Sequence, residues 1–116
     1  MKTKDLESEI RAGRLRDEMS FNQKVWAVTA RIPKGCVTTY AEIARALGSK
    51  GYRAVGNALN KNPYAPQVPC HRVVGSNGKL TGFAGGLVAK TSLLAGEGIA
   101  VKDGRAYVES FFKFSV

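Results

Sequence analysis

The sequence predicts a mainly α domain with small β hairpins, arranged as a winged-helix-like helix-turn-helix. Apolar residues recur at helical spacing in segments 21–32, 39–47 and 52–61. The last two segments are joined by only four residues, Gly48-Ser49-Lys50-Gly51, which is typical of a helix-turn-helix. Asn-Gly and Asp-Gly pairs in the C-terminal half are hairpin turn signals.

Length and charge place the chain among small basic domains. It has 116 residues with 18 Lys and Arg against 9 Asp and Glu, and all of the net charge of +9 falls in residues 19–116. A hydrophobic content of 44% argues against disorder, and no apolar run is long enough for a membrane span or a secretory signal. We therefore expect no membrane partner and a cytoplasmic location, or a nuclear one in a eukaryote. The excess charge fits nucleic acid, although solubility alone would also explain it.

The first two elements are an arm and a helix. Residues 1–19 alternate acids and bases around a few apolar positions, which predicts an N-terminal arm or marginal helix. Residues 20–116 form the predicted domain. It opens with a capping box of Ser20 and Gln23, and its first helix ends at Pro33-Lys34-Gly35. The buried stripe of that helix is Phe21, Val25, Val28 and Ile32.

The helix-turn-helix follows. A second capping box, Thr39 with Glu42, starts a helix that turns Ile43, Ala44 and Leu47 inward and stops at Gly48. The next helix runs from about Tyr52 to Lys61. Its apolar positions are Ala54, Val55, Ala58 and Leu59. Its small side chains suit close approach to a DNA backbone better than base readout in the major groove.

The C-terminal half carries the hairpins. Three prolines in residues 63–69 predict an extended, stiff lead into a strand from Cys70 to Val74. That strand is predicted to turn at Asn77-Gly78 and return through Leu80-Thr81. A helix from Leu87 to Gly96 and a second hairpin, Ile99–Lys102 with Arg105–Val108, complete the domain.

The reactive groups centre on Cys70 and the only histidine, His71. Two cysteines and one histidine cannot supply a closed zinc site or a disulfide framework, so we expect neither metal nor cofactor. A cysteine in a basic setting favours the nucleophilic thiolate. A buried, inert cysteine is the commoner alternative.

Five motifs occur in one order and spacing over about residues 20–100. They are Gly35-Cys36-Val37-Thr38-Thr39-Tyr40, Arg53-Ala54-Val55-Gly56, Asn62-Pro63, Pro69-Cys70-His71-Arg72-Val73-Val74, and Gly85-Gly86 continuing to Leu93-Leu94-Ala95-Gly96-Glu97-Gly98. Together they resemble the O6-alkylguanine-DNA alkyltransferases, also called methylated-DNA–protein-cysteine methyltransferases. The resemblance implies a catalytic and DNA-binding domain that repairs O6-alkylguanine in double-stranded DNA as a monomer. Transfer of the alkyl group to a cysteine would be irreversible and stoichiometric.

The resemblance also implies roles for single residues. Cys70 would accept the alkyl group, and His71 would remove its proton through a water while Glu97 holds the imidazole. Asn62 would brace the turn around the site, and Tyr40 would donate a proton toward the departing guanine. The pocket for the flipped base would consist of Tyr40, Val73, Phe83 and Ala84, with the backbone at Cys70, Val73 and Ala84 holding the guanine edge.

DNA contacts follow from the same resemblance. Arg53 would fill the space that the flipped base leaves in the stack. The helix that carries it would lie in the minor groove, where recognition is largely independent of sequence. The expected DNA-binding residues are Arg53, Ala54, Gly56, Asn57 and Ala58.

The sequence departs from the usual family pattern, and three other classes of protein remain as alternatives. About 20 residues precede the DNA-binding part where family members usually carry an α/β domain, so the chain resembles a solitary catalytic domain. Phe83 stands where many members have tyrosine, which bears on the size of alkyl group accepted. The main alternative is a non-catalytic, alkyltransferase-like lesion-binding protein, although such proteins characteristically replace the cysteine. A helix-turn-helix regulator would need long polar residues on its recognition helix, and a cysteine hydrolase would need an oxyanion-hole motif.

Overall fold

The computed structural model describes residues 3–49, 51–65, 67–81 and 86–115, with side chains from residue 6 onward. Within these ranges it contains five α-helices, a short 3₁₀ turn and four short strands. The helices are α1 (Thr3–Arg11), α2 (Phe21–Thr29), α3 (Tyr40–Ala46), α4 (Tyr52–Asn60) and α5 (Leu87–Gly96). The strands are β1 (Thr38–Thr39), β2 (Val73–Val74), β3 (Ala100–Lys102) and β4 (Arg105–Tyr107), and the 3₁₀ turn is Cys70–Arg72. The predicted mainly α class with small β elements is confirmed.

Local signals explain most helix ends. Both halves of the Ser20 and Gln23 capping box are formed at the start of α2. At the end of α3, the N–H of Ser49 reaches the carbonyl of Ala44, and Gly48 takes φ +68°, which together make a Schellman stop. Helix α2 ends at Thr29, three residues before the predicted end, and a turn carries the chain to Ile32.

The second predicted capping box is only half formed. The Thr39 hydroxyl accepts the N–H of Glu42 at 3.0 Å, as expected. The Glu42 carboxylate, however, binds Arg45 and the backbone N–H of Phe114 instead of reaching back to Thr39. The C-terminal segment, residues 108–115, therefore takes over a partner that local sequence assigns to the helix cap.

The first predicted hairpin is wrong. Cys70 opens a 3₁₀ turn, and β2 pairs in parallel with β1, Thr38 opposite Val73 and Thr39 opposite Val74. The turn at Asn77-Gly78 is present, but Lys79 beyond it bridges to Arg105. A distant strand outcompetes the nearest one because Thr38, Val73 and Val74 are all buried, and turn residues alone do not specify a partner.

The second predicted hairpin is confirmed with slightly shorter strands. Asp103 and Gly104 adopt φ +54° and φ +73°, the left-handed pair that a type I′ turn requires. Ala106 faces the core while Lys102, Arg105 and Tyr107 are exposed.

Three hydrophobic clusters join these elements. The largest lies between α2, α3 and α4 and includes Val25, Ile43, Val55 and Phe114. A second, under the β3–β4 hairpin, includes Val74 and Leu94. The predicted N-terminal arm is a docked helix, because fully buried Ile10 packs with Met19, Ala27 and Val68. None of the described helices is long and apolar enough to cross a bilayer.

Candidate active site

A braced loop delivers Cys70 to the site. The Asn62 side chain donates from Nδ2 to the carbonyl of Val68 and accepts the N–H of Tyr64 at Oδ1, both at 2.9 Å. These bonds fix the proline-containing segment that precedes Cys70, as the resemblance implies for Asn62. Cys70 is 9% exposed at the start of the 3₁₀ turn.

Buried His71 is bound to the half-buried carboxylate of Glu97. His71 Nε2 lies 3.0 Å from Glu97 Oε2, and the imidazole is almost fully buried. Burial holds the pKa of His71 below 6.5, more strongly than Glu97 raises it. A neutral His71 that donates from Nε2 leaves Nδ1 as the ring atom able to accept a proton.

Arg72 completes this group and was not among the predicted site residues. Its guanidinium donates hydrogen bonds to both carboxylate oxygens of Glu97, from Nε to Oε1 at 2.9 Å and from Nη2 to Oε2 at 2.6 Å. Nη1 also donates to the carbonyl of Ile32. The hydrogen bond from Arg72 lowers the pKa of Glu97 to about 2, so the carboxylate stays charged near neutral pH.

A second polar group, around Tyr40 and Lys90, lies near Cys70. The Tyr40 hydroxyl donates to the carbonyl of Thr81 at 3.1 Å and lies 3.5 Å from Lys90 Nζ. Lys90, fully buried, also donates to the carbonyls of Val73 and Thr81, at 2.7 and 2.9 Å. Burial lowers the pKa of Lys90 to about 8. Burial likewise raises the pKa of Tyr40, which keeps its hydroxyl protonated.

Lys90 was missed because α5 looks like an ordinary helix in sequence, where a lysine is expected on the solvent face. Only the packing of α5 against the 3₁₀ turn and Tyr40 buries it. A lysine flanked by small and apolar residues, Val88-Ala89-Lys90, was the only available signal.

Helix α4 presents part of the predicted DNA-binding set. Arg53, Ala54 and Asn57 are exposed, and Gly56 is half-buried. A groove of ≈ 400 Å³ runs along this face and is lined by Tyr40, Tyr52, Arg53, Gly56, Asn57, Asn60 and Thr81. Tyr40 therefore connects the α4 surface to the groups around Cys70.

One predicted contact is wrong, one stays a prediction, and two lie outside the described residues. Ala58 is fully buried against α2, where its carbonyl accepts the indole N–H of Trp26, so it cannot lie on the DNA face. Val73 is expected to hold the guanine through its backbone, which stays a prediction; its side chain is buried in the core, and its carbonyl accepts a hydrogen bond from Lys90. Phe83 and Ala84 fall within residues 82–85, outside the described ranges.

Metal ligands do not converge in the described part of the chain, where no three His, Cys, Asp or Glu side chains come together. The second cysteine, Cys36, is half-buried and packs against the helical core.

Comparison with known proteins agrees with this geometry. The sequence model of a family described as "6-O-methylguanine DNA methyltransferase, DNA binding domain" matches residues 20–99. The methylated-DNA–protein-cysteine methyltransferase of Methanosarcina acetivorans is 54% identical over 79 residues, which are 67% of this chain and 51% of that protein. The chain thus spans about half the length of that relative.

Solved structures extend the likeness to the fold. The crystal structure of Mycobacterium tuberculosis OGT in complex with DNA matches with a TM-score of 0.66 and 42% identity, over 80% of this chain and 63% of that one. That of S. pombe ATL in complex with DNA matches with a TM-score of 0.66 and 33% identity, over 85% of this chain and 98% of that one. By its fold, its motifs and the match over residues 20–99, this chain belongs to the 6-O-methylguanine DNA methyltransferase family.

Proposed function

We propose that this chain repairs DNA by moving the alkyl group of O6-alkylguanine to the sulfur of Cys70. The observation that carries the proposal is that Cys70 lies near two polar groups with opposite roles in proton transfer. The His71, Glu97 and Arg72 group can accept a proton. The Tyr40 and Lys90 group can donate one.

The first group prepares the nucleophile. Neutral His71 takes the Cys70 thiol proton through a water, and Glu97 at 3.0 Å stabilises the imidazolium that forms. Arg72 holds the carboxylate oxygens in the orientation this requires. The resulting thiolate lies near the buried ammonium of Lys90.

The second group serves the leaving group. The sulfur attacks the alkyl carbon, a C–S bond forms, and the C–O bond to guanine breaks. Tyr40 donates its hydroxyl proton to the guanine as negative charge develops, and Lys90 beside it stabilises the tyrosinate. The products are an unmodified guanine in DNA and a thioether on Cys70.

Access to the base requires that it leave the duplex. We assign Arg53, exposed at the start of α4, to the gap that the flipped base leaves. Ala54, Gly56 and Asn57 form the surface that approaches the minor groove. The proposal takes the chain as a monomer, since Cys70, His71, Glu97 and Arg53 belong to one chain and one site. Names of relatives support it, among them methylated-DNA–protein-cysteine methyltransferase.

Mass spectrometry after incubation with a duplex containing O6-methylguanine tests the proposal. The Cys70 peptide should gain one methylene, and repair should stop at one equivalent of protein, because the described site offers no group that could cleave a thioether. Cys70→Ala should abolish transfer while lesion binding remains. Cys36→Ala is the matched control and should transfer normally, since Cys36 packs on the helical core.

The likeness to S. pombe ATL favours one alternative, a protein that binds the lesion without repairing it. Binding of the lesion by wild-type protein with no gain of mass would favour this alternative. Processing of many equivalents would contradict both.

A further inference from the structure

Three cations lie in a row on the exposed face of the C-terminal hairpin. Lys102 pairs with Arg105 across β3 and β4, and Arg105 bridges on its other side to Lys79. All three side chains are exposed, whereas the neighbouring Leu80 and Ala106 are buried on the opposite face. We call this row, Lys79–Arg105–Lys102, the basic strip.

The register brings two of these charges as close as paired strands allow. The bond from Ala106 N–H to the Gly78 carbonyl and that from Leu80 N–H to the Gly104 carbonyl, both 2.8 Å, flank Lys79 and Arg105. These two residues therefore form a non-hydrogen-bonded pair, the kind in which side chains stand closest. Like charges at directly opposed positions destabilise a sheet.

Nothing in the described part of the chain neutralises the strip. None of the ion pairs found there includes Lys79, Lys102 or Arg105, and the one acid in the hairpin turn, Asp103, is exposed. Tyr107, 53% exposed, lies on the same face two residues from Arg105. A face with three cations and an aromatic ring suits a phosphate backbone.

The segment that carries Lys79 also borders the site. A cavity of ≈ 380 Å³ between α4 and the segment that carries Lys79 is lined by Tyr40, Ala41, Tyr52, Gly75, Ser76 and Thr81. The segment that carries Lys79, to which the hairpin bridges through Arg105, therefore shares this cavity with Tyr52 of α4. Three adjacent strands span about 10 Å, and phosphates along one DNA strand recur about every 3.4 Å of helix axis.

We propose that the basic strip is a second DNA contact, which binds the phosphates of one strand beside the flipped base. This inference rests on the proposed function and adds a surface beyond it. Two of the three cations lie past residue 99, outside the region that the family model matches. The cost of like-charge contact in the free protein is offset when phosphates neutralise the row.

Two double variants of equal charge test the strip. Lys79→Gln with Lys102→Gln removes two of its cations, and Lys24→Gln with Lys34→Gln removes two from the helical side. Binding to a short labelled undamaged duplex is measured over a range of salt concentrations. The strip variant should reduce the slope of log K against log salt by about 2, and the control should leave it nearly unchanged. Lys79→Arg with Lys102→Arg should restore the slope.

Thermal unfolding separates contact from folding. Because like charges are removed, the strip variant without DNA should unfold at the same temperature as the control or higher. A lower temperature would assign these side chains to the fold and overturn the proposal. Equal slopes for strip and control variants would also overturn it. A strip variant that bound duplex RNA more weakly than wild type, but duplex DNA equally well, would overturn it too.

A small substrate separates this inference from the proposed function. Both variants should alkylate Cys70 normally with a free O6-alkylguanine base, which needs no phosphate contact. If wild-type protein neither binds duplex nor gains mass, the proposed function fails. If wild-type protein repairs DNA and the strip variant behaves like its control, only the strip is wrong.

Discussion

At the scale of single residues, the site holds two charged side chains largely away from solvent, Glu97 and Lys90, and each has several hydrogen-bond partners. Glu97 accepts three hydrogen bonds from two side chains, and these donors compensate the charge of its carboxylate. Lys90 places its ammonium against two carbonyls and the Tyr40 hydroxyl. Burying such groups is tolerable only with partners of this quality, which indicates a functional reason for keeping them.

Lys90→Met tests the role of the buried ammonium. Loss of the charge beside Tyr40 should slow single-turnover transfer by roughly a hundredfold, the lower range for a proton-transfer group. Tyr40→Phe should have a similar effect. Because both residues act through one proton path, the double variant should be little slower than either single variant. Rate losses that simply multiply would show that Lys90 acts independently of Tyr40.

Arg53→Ala tests base flipping. The rate with a free O6-alkylguanine base should stay close to that of wild type, while repair in duplex DNA should slow, because only the duplex must be unstacked. Lys61→Ala, at the other end of α4, is the control for loss of one exposed charge. Equal losses on both substrates would assign Arg53 to the fold or the chemistry.

At the scale of elements, the helix that carries Tyr40 is held from two sides. Strand β1 leads into α3 and pairs with β2 directly after the 3₁₀ turn of Cys70. From the other side, Phe112 exchanges backbone and side-chain hydrogen bonds with Val37 and Thr38, and Phe114 binds Glu42. The C-terminal segment therefore helps to set the position of Tyr40 relative to Cys70.

Gly78→Ala tests how tightly the turn packs on the hairpin. A Cβ there would clash with the carbonyl oxygen of Ala106, and φ is +86°. We expect a loss of about 2 kcal/mol or more in the free energy of unfolding, measured by denaturant titration. Gly104→Ala is the matched control, because it has φ +73° with no atom within 4 Å of the added Cβ. Its free energy of unfolding should decrease by only about 1 kcal/mol. Equal decreases for the two variants would show that backbone strain, and not the clash with Ala106, accounts for the loss.

At the scale of the whole molecule, the pair of His71 and Glu97 at the site links stability to pH. The folded pKa values of Glu97, about 2, and of His71, below 6.5, both lie under their usual values. The unfolded chain therefore binds protons that the folded chain does not, first on the histidine near pH 6.5 and then on the glutamate below about pH 5. As the pH is lowered, the free energy of unfolding should therefore decrease in both of these pH ranges. The decrease due to Glu97 should be about 2–3 kcal/mol between pH 5 and pH 2.

Glu97→Gln isolates that contribution. Its unfolding free energy should change less between pH 5 and pH 2 than that of wild type, as measured by urea titration at fixed pH. Glu109→Gln changes an exposed carboxylate and should keep the wild-type profile. A profile for Glu97→Gln as steep as that of wild type would mean that other carboxylates account for the acid sensitivity.

Local patterns were enough to predict the helices, the Ser20 cap, the Gly48 stop, the Asp103-Gly104 hairpin and the motifs around Cys70. Each of these depends on residues within a few positions of one another, where propensity, capping and turn geometry act directly. The tertiary structure alone decided that β2 pairs with β1, that Glu42 binds Phe114, and that Lys90 and Arg72 complete the site. Each of these contacts joins residues that are distant in sequence. They depend on burial, because polar groups that lose contact with water on folding must find partners within the protein.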